Sequence, residues 1–232
     1  METKPVNNYV IQAKGLTRVY SLGANRVVGL NNVDLDVREG ALVALKGNSG
    51  SGKSSLLALF AGLDKPTSGA LTVAGQDLTT ASQSQLTRYR RETVGMVFQS
   101  FNLLPTLTVL ENVSLPALLA GRNPKSVEDR AHELLAWLNM ESRERHRPAQ
   151  LSGGEMQRAA IARALINDPA IILADEPTGN LDSRNGRIVM ELLAELKERF
   201  GRTVIIATHS TIADPFASME VLLRDGSLAP TT

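Results

Sequence analysis

Residues 47–54, Gly-Asn-Ser-Gly-Ser-Gly-Lys-Ser, restrict the fold more than any other part of the chain. They follow the short apolar run ALVAL (41–45) and lead into SSLLALFAGL, whose helical pattern closes at Gly62. A buried strand, a glycine loop and a helix start, in that order, let consecutive backbone N–H groups converge on a phosphate at the positive end of a helix dipole. Gly47, Asn48, Ser49, Gly50, Ser51 and Gly52 then form the cradle, Lys53 reaches the β- and γ-phosphates, and Ser54, followed by Ser55, supplies a hydroxyl for Mg²⁺. A serine-capped glycine turn uses the same residue types; the strand before it and the helix after it favour the phosphate reading.

A second chemical pattern lies downstream. IILAD (171–175) is a short apolar run ending in two carboxylates, Asp175 and Glu176, at the carboxyl end of a strand, where open α/β sheets bind ligands. Asp175 suits an Mg²⁺ water shell and Glu176 suits polarising a water for attack on a γ-phosphate. Pro177, Gly179 and Asn180 would equally explain a polar turn, so the phosphate loop gives this motif its weight.

Between and around these motifs the chain alternates strands and helices. Residues 10–19 and 28–37 read as antiparallel strands separated by SLGAN, with Val33, Leu35 and Val37 on one face. LTVAG (71–75) and VGMVF (94–98) read as strands flanking a polar helix, SQSQLTRYRR. From Leu103 to Met140 the period turns helical: Val127, Ala131, Leu134, Leu135 and Leu138 recur at three and four behind a Ser126 cap. Helices to about Asn167 and from Asn185 to Phe200, with strands 170–174 and 203–208, restore the alternation, which predicts a mostly parallel sheet covered on both faces.

Composition removes other classes. Of 232 residues, 43% are hydrophobic and 21% charged, which is ordinary for a folded domain, and 25 Lys and Arg against 24 Asp and Glu advertise no nucleic-acid surface. The absence of cysteine excludes thiol catalysis and disulfides, and His132, His146 and His209 are too far apart for a local metal motif. The apolar run Leu56–Leu63 is too short to span a bilayer and METKPVNNYV has no secretory core, so a cytoplasmic location is expected, with Met1–Asn8 and the terminal PTT fraying.

LSGGE (151–155) precedes a helix starting near Met156, and its residues fit a second phosphate site or a serine–glycine cap equally well. Taken in order, the phosphate loop, LSGGE, IILADE and a late His209 resemble the nucleotide-binding subunit of ATP-binding cassette (ABC) transporters over about Val10–Leu228. The resemblance implies one α/β domain over 1–232. It has a P-loop NTPase, RecA-like core with an antiparallel β part (1–98 and 156–232) and a helical subdomain insertion (99–155).

It also implies an ATPase that works as a homodimer. Each ATP lies between one copy's phosphate loop and the other copy's Ser152, Gly153 and Gly154. Gln99 touches Mg²⁺ and reports to a membrane subunit, His209 contacts the γ-phosphate, Asp182 couples the two sites, and Tyr20 stacks on adenine. The span 94–121, through FNLLP and ENVSLP, is similar to the lipoprotein-releasing and macrolide-exporter-type subgroup. That points to an integral-membrane permease with four transmembrane helices and a large extracytoplasmic domain, and to a cassette peripheral on the inner face of the cytoplasmic membrane. Part of Phe101, Leu103, Leu104, Leu107, Val109 and Leu110 is expected to line the groove for the partner's cytoplasmic helix. A regulatory ATPase that signals through its partner without transport, as in the cell-division member, is the alternative. Soluble translation factors would need two cassettes and chromosome ATPases a long coiled coil between residues 54 and 151, and neither is present.

Four positions depart from the family pattern: Lys46 before the loop, Ser55, Met156 and Ser210. None removes a phosphate or metal ligand, so hydrolysis is expected to survive, and Lys46 is expected to be a solvated edge.

Overall fold

The computed structural model describes residues 8–23 and 25–229. The fraying expected of residues 1–7 and 230–232 lies outside the described residues. In chain order the elements are β1 (Tyr9–Leu22), β2 (Asn25–Arg38), β3 (Leu42–Lys46), α1 (Lys53–Phe60), β4 (Ser68–Val73), β5 (Gln76–Asp77), α2 (Gln83–Glu92) and β6 (Val94–Phe98). They continue with α3 (Val109–Leu119), α4 (Pro124–Trp137), α5 (Gly153–Leu165), β7 (Ile171–Asp175), α6 (Ser183–Phe200), β8 (Thr203–Thr208), β9 (Met219–Arg224) and β10 (Ser227–Leu228).

Two sheets form. The antiparallel one runs β2-β1-β4-β5, and the second runs β10-β9-β3-β8-β7-β6, with four parallel pairings and only the β9–β10 hairpin antiparallel. Strands β3, β7 and β8 are buried along nearly their whole length and apolar in their interiors because both faces are covered. Ile171, Leu173, Val43, Leu45 and Ile205 face a core shared with α1 and the antiparallel sheet. Their alternates Ile172, Ala174, Leu42, Ala44, Val204 and Ile206 face a second core made with α3, α4, α5 and α6. This strand order sets the carboxyl ends of β3, β8 and β7 side by side, so the residues that follow them converge.

Several boundaries differ from the sequence expectation for local reasons. Asn123, not Ser126, caps α4: its side chain accepts from Lys125 and Ser126 amides, with Pro124 preset in the first turn, while the Ser126 hydroxyl donates back to the Asn123 carbonyl. Helix α5 starts at Gly153, ahead of Met156, because Ser152 and Glu155 close a capping box. Strands β5, β9 and β10 were not anticipated. β9 alternates buried Val221 and Leu223 with exposed Glu220, Leu222 and Arg224, a pattern too short and charged to stand out.

The stretch before α3 is held by one side chain. Asn112 is 1% exposed; its Oδ1 accepts the Leu104 amide at 2.7 Å and its Nδ2 donates to the carbonyls of Leu104, Leu107 and Thr108. That accounts for an irregular segment packed against a helix without orphaned backbone groups.

Candidate nucleotide site

At the carboxyl edge of the parallel sheet lies an open cavity of about 710 Å³. Tyr20, Asn48, Ser49, Gly50, Gly52, Lys53, Ser54, Ser55, Gln99, Asp175, Glu176 and His209 all line it, so residues distant in sequence are brought to one place. Gly47 and Ser51 complete the loop beneath. Gly47 has φ 149°, and a Cβ there would sit 2.3 Å from the Leu223 carbonyl oxygen, so only glycine fits the strand-to-loop corner.

Lys53 is 7% exposed, and its Nζ donates to the carbonyls of Gly47 at 2.8 Å and Asn48 at 3.1 Å. A buried ammonium held by neutral carbonyls alone is electrostatically suited to an incoming anion. Ser54 Oγ donates to Asp175 Oδ1 at 3.3 Å. Burial raises the Asp175 carboxyl above its ordinary range and the Glu176 carboxylate adds to this, while Ser54 and Lys53 oppose it. A desolvated carboxylate beside a hydroxyl, with the Gln99 amide on the same wall, is a hard-oxygen set that fits Mg²⁺.

Glu176 follows β7 in the left-handed region, φ 46°, fixed by its amide donating to the Ala207 carbonyl at 2.9 Å. A non-glycine residue held there stores roughly 1–3 kcal/mol of strain, and such positions concentrate at working sites. His209 Nδ1 is 2.9 Å from Glu176 Oε1; the imidazole is 69% exposed and the carboxylate 16%. Gln99 turns toward Asn180: its Nε2 donates to Asn180 Oδ1 at 3.4 Å, and Asn180 Nδ2 donates to the Gln99 carbonyl at 3.0 Å. In the sequence Asn180 reads only as a turn residue, because its pairing with Gln99 is tertiary.

Tyr20 is fixed on three sides. Its hydroxyl donates to Ser55 Oγ at 3.2 Å, the Arg18 guanidinium lies 4.5 Å from its ring centroid, and a Cβ on Gly29 would meet the ring at 2.6 Å. Ser55 therefore tethers the ring to the phosphate loop. Val27 and Val28, half exposed beside Tyr20, add apolar wall that the sequence did not single out; their exposure on a strand was the available signal.

Ser152, Gly153, Gly154 and Asp182 are absent from the lining of this cavity. Ser152 caps α5, and Asp182 caps α6 by accepting from the Asn185 amide, which holds its carboxyl below the ordinary range. The two caps adjoin: a Cβ on Gly154 would meet Asn185 Oδ1 at 2.5 Å, and Asn185 Nδ2 donates to Asp182 at 2.7 Å. Lys46 is not a solvated edge. Its Nζ lies 2.6 Å from Asp214 and 3.1 Å from Glu220, joining the end of β3 to the turn after His209 and to β9. The six hydrophobics expected in a groove also sort differently. Val109 is core and Leu103 and Leu110 pack against it, whereas a cleft of about 460 Å³ is lined by Met96, Phe98, Pro116, Leu119, Arg90, Arg91 and Arg163.

The sequence profile of ABC transporters matches residues 30–179, spanning the phosphate loop, LSGGE and Glu176. The chain belongs to the ABC transporter family. It is 45% identical over 223 residues to the ABC transporter ATP-binding protein MJ0796 of Methanocaldococcus jannaschii, covering 94% of this chain and 95% of that protein. It is also 45% identical over 221 residues to Rv0986 of Mycobacterium tuberculosis, covering 95% and 89%. The dimeric post-hydrolysis structure of the MJ0796 cassette with ADP and Pi superimposes with TM-score 0.88 at 41% identity, over 95% of this chain and 97% of that one. CbiO1 of Clostridium perfringens, part of the cbiONQ transporter complex, superimposes with TM-score 0.86 at 27% identity, covering 96% and 88%. The cassette has the α/β P-loop NTPase fold expected and is an ATPase that uses ATP with Mg²⁺.

Proposed function

We propose that the cassette works as a homodimer that closes around two ATP molecules and drives a membrane permease. The observation that carries this reading is the division of the site. Lys53, Asp175, Glu176 and His209 share one cavity, while Ser152, Gly153 and Gly154 stand outside it, which supports a site completed by a second copy. The dimeric MJ0796 cassette supports the same arrangement.

Within the closed site, Glu176 orients a water for in-line attack on the γ-phosphoryl group and accepts its proton, and His209 holds the Glu176 carboxylate in place. Lys53, with Ser152 and Gly154 of the second copy, stabilises the charge that builds on the phosphoryl oxygens. Mg²⁺, held by Ser54 and Asp175 with Gln99 nearby, supplies charge neutralisation of the phosphates. Tyr20 offers its ring to the base, Gln99 senses the γ-phosphate side, and Asp182, next to Ser152 and Gly154 in the fold, couples the two sites.

The cleft of Met96, Phe98 and Leu119 rimmed by Arg90, Arg91 and Arg163 suits a cytoplasmic helix of the permease. No helix among the described residues is long and apolar enough to cross a membrane, in keeping with a cassette held peripherally at the inner face of the cytoplasmic membrane by that partner. Resemblance of the 94–121 span favours a partner with four transmembrane helices and a large extracytoplasmic domain, moved by dimer closure as mechanical work of the lipoprotein-release or efflux type.

The test is capture of the Glu176→Gln cassette, locked with ATP, from gently solubilised native membranes. A four-helix partner with a large extracytoplasmic domain is expected by mass spectrometry. A larger permease without that domain would overturn the mechanical reading, and ATPase stimulation by the partner without any dependence on cargo would move the assignment to signalling.

A further inference from the structure

Among the described residues three α-helices begin with a capping box, and they differ in one respect. In α2 the box pairs Ser82 with neutral Gln85, and in α3 it pairs Thr108 with Glu111, which has no basic side chain in hydrogen-bond contact. In α5 it pairs Ser152 with Glu155, and here a guanidinium is docked on the carboxylate: Arg143 Nε donates to Glu155 Oε1 at 2.7 Å. Glu155 Oε2 accepts both the Ser152 amide at 2.8 Å and the Ser152 hydroxyl at 2.9 Å. The Gln85 box shows that a neutral amide closes the same cap, so the ion pair is not needed to start a helix.

The charge has a different consequence at α5. Ser152 has one hydroxyl proton, and in the isolated chain it is given to Glu155. A γ-phosphate arriving from a second copy must compete for that proton, and it does so beside a carboxylate of its own sign. With Arg143 and the backbone bonds of the box acting together, Glu155 stays ionised down to about 2, so the carboxylate cannot relieve the repulsion by taking up a proton near neutrality. A cation on its far oxygen relieves it instead, drawing negative charge away from the serine.

We propose that Arg143 is a positioning residue for the shared ATP site: it holds and neutralises Glu155 so that the Ser152 hydroxyl can turn to the γ-phosphate bound by the other copy. This rests on the composite-site reading above. Arg143 is not among the residues that line the nucleotide cavity. It lies in the short 3-10 turn Glu141–Arg143, between α4 and LSGGE.

The experiment reads ATP-driven dimerisation by light scattering in the Glu176→Gln background for four further changes: Arg143→Gln, Arg143→Lys, Glu155→Gln, and Arg143→Gln with Glu155→Gln. Loss of the guanidinium is expected to raise the half-saturating ATP concentration about tenfold, a 1.4 kcal/mol change in coupling. Lysine is expected to restore most of it. Glu155→Gln alone is expected to change it less than about twofold, and the double variant is expected to match Glu155→Gln, because without the carboxylate there is nothing to neutralise. ADP binding to the monomer and the melting temperature are expected to stay level across the set.

An equal loss from Arg143→Gln with Glu155 or Gln at position 155 would make Arg143 a structural prop and overturn the proposal, as would a lysine variant no better than glutamine. A Glu176→Gln parent that stays monomeric in saturating ATP would instead overturn the composite site itself, and this inference with it.

Discussion

His209 and Glu176 are hydrogen-bonded across the mouth of the nucleotide cavity, Nδ1 to Oε1 at 2.9 Å, although they end different strands. The pair fixes an acceptor already constrained by its left-handed backbone.

Removing either member should therefore leave nucleotide binding and abolish turnover. Glu176→Gln is expected to lower kcat by about 10²–10⁴-fold while ATP still binds, and His209→Ala by a smaller factor, since the carboxylate survives but loses its orientation. Phosphate-release kinetics with a parallel binding titration separates the two effects; unchanged kcat in Glu176→Gln would remove it from the chemistry.

Lys53 should fail at an earlier stage. Among the described residues its ammonium is the one Lys or Arg cation lining the cavity, and alanine there also leaves the Gly47 and Asn48 carbonyls without their donor. ATP affinity is expected to fall by about tenfold or more in Lys53→Ala, measured by equilibrium dialysis, and wild-type affinity would contradict the phosphate contact.

Burial raises the Asp175 carboxyl, with Glu176 adding to it, so protonation competes with Mg²⁺ at a higher pH than for a free aspartate near ~3.9. Mg²⁺ needs the ionised form, hence activity is lost as pH falls through the raised value. Higher Mg²⁺ should move that acid limb to lower pH, because metal and proton exclude each other. pH–rate profiles at two Mg²⁺ concentrations test this; a limb indifferent to Mg²⁺ would place the titration elsewhere.

Asn112 carries a stability prediction. Alanine would leave the Leu104 amide and the Leu107 carbonyl without their partner inside the fold and take one of two donors from the Leu104 and Thr108 carbonyls, at a cost of about 2–3 kcal/mol, or roughly 5–10 °C in Tm. Thermal melts report it directly, and a shift of under ~2 °C would show that water replaces the amide.

What the sequence made legible follows from range. The phosphate loop, Asp175 and Glu176 were readable because glycine placement and a strand-end carboxylate pair are local consequences of backbone geometry. Tyr20, Gln99, Ser152 and Asp182 could be named only through family resemblance, since a lone polar residue at a strand or helix end has an ordinary local explanation. Lys46 was misread for a related reason: a lysine ending an apolar strand looks solvent-seeking until Asp214 and Glu220 fold over it. The arginine-rimmed cleft was invisible because Arg90, Met96, Leu119 and Arg163 come from four different elements. Strand β9 was missed because its exposed Glu220 and Arg224 dilute a buried pair.

The single tryptophan sits at an informative joint. Trp137, at the end of α4, packs edge-to-face on Phe200 at the end of α6, ring centroids 5.6 Å apart, while its indole N–H donates to Glu195 at 3.1 Å. Helices α4 and α6 thus meet at the only indole in the molecule, which is packed on an aromatic ring and hydrogen-bonded to a carboxylate. A tilt of α4 against α6 would change the polarity and hydrogen bonding around that indole, and with them the wavelength of its emission, so the cassette carries an internal optical probe of this joint and needs no attached dye.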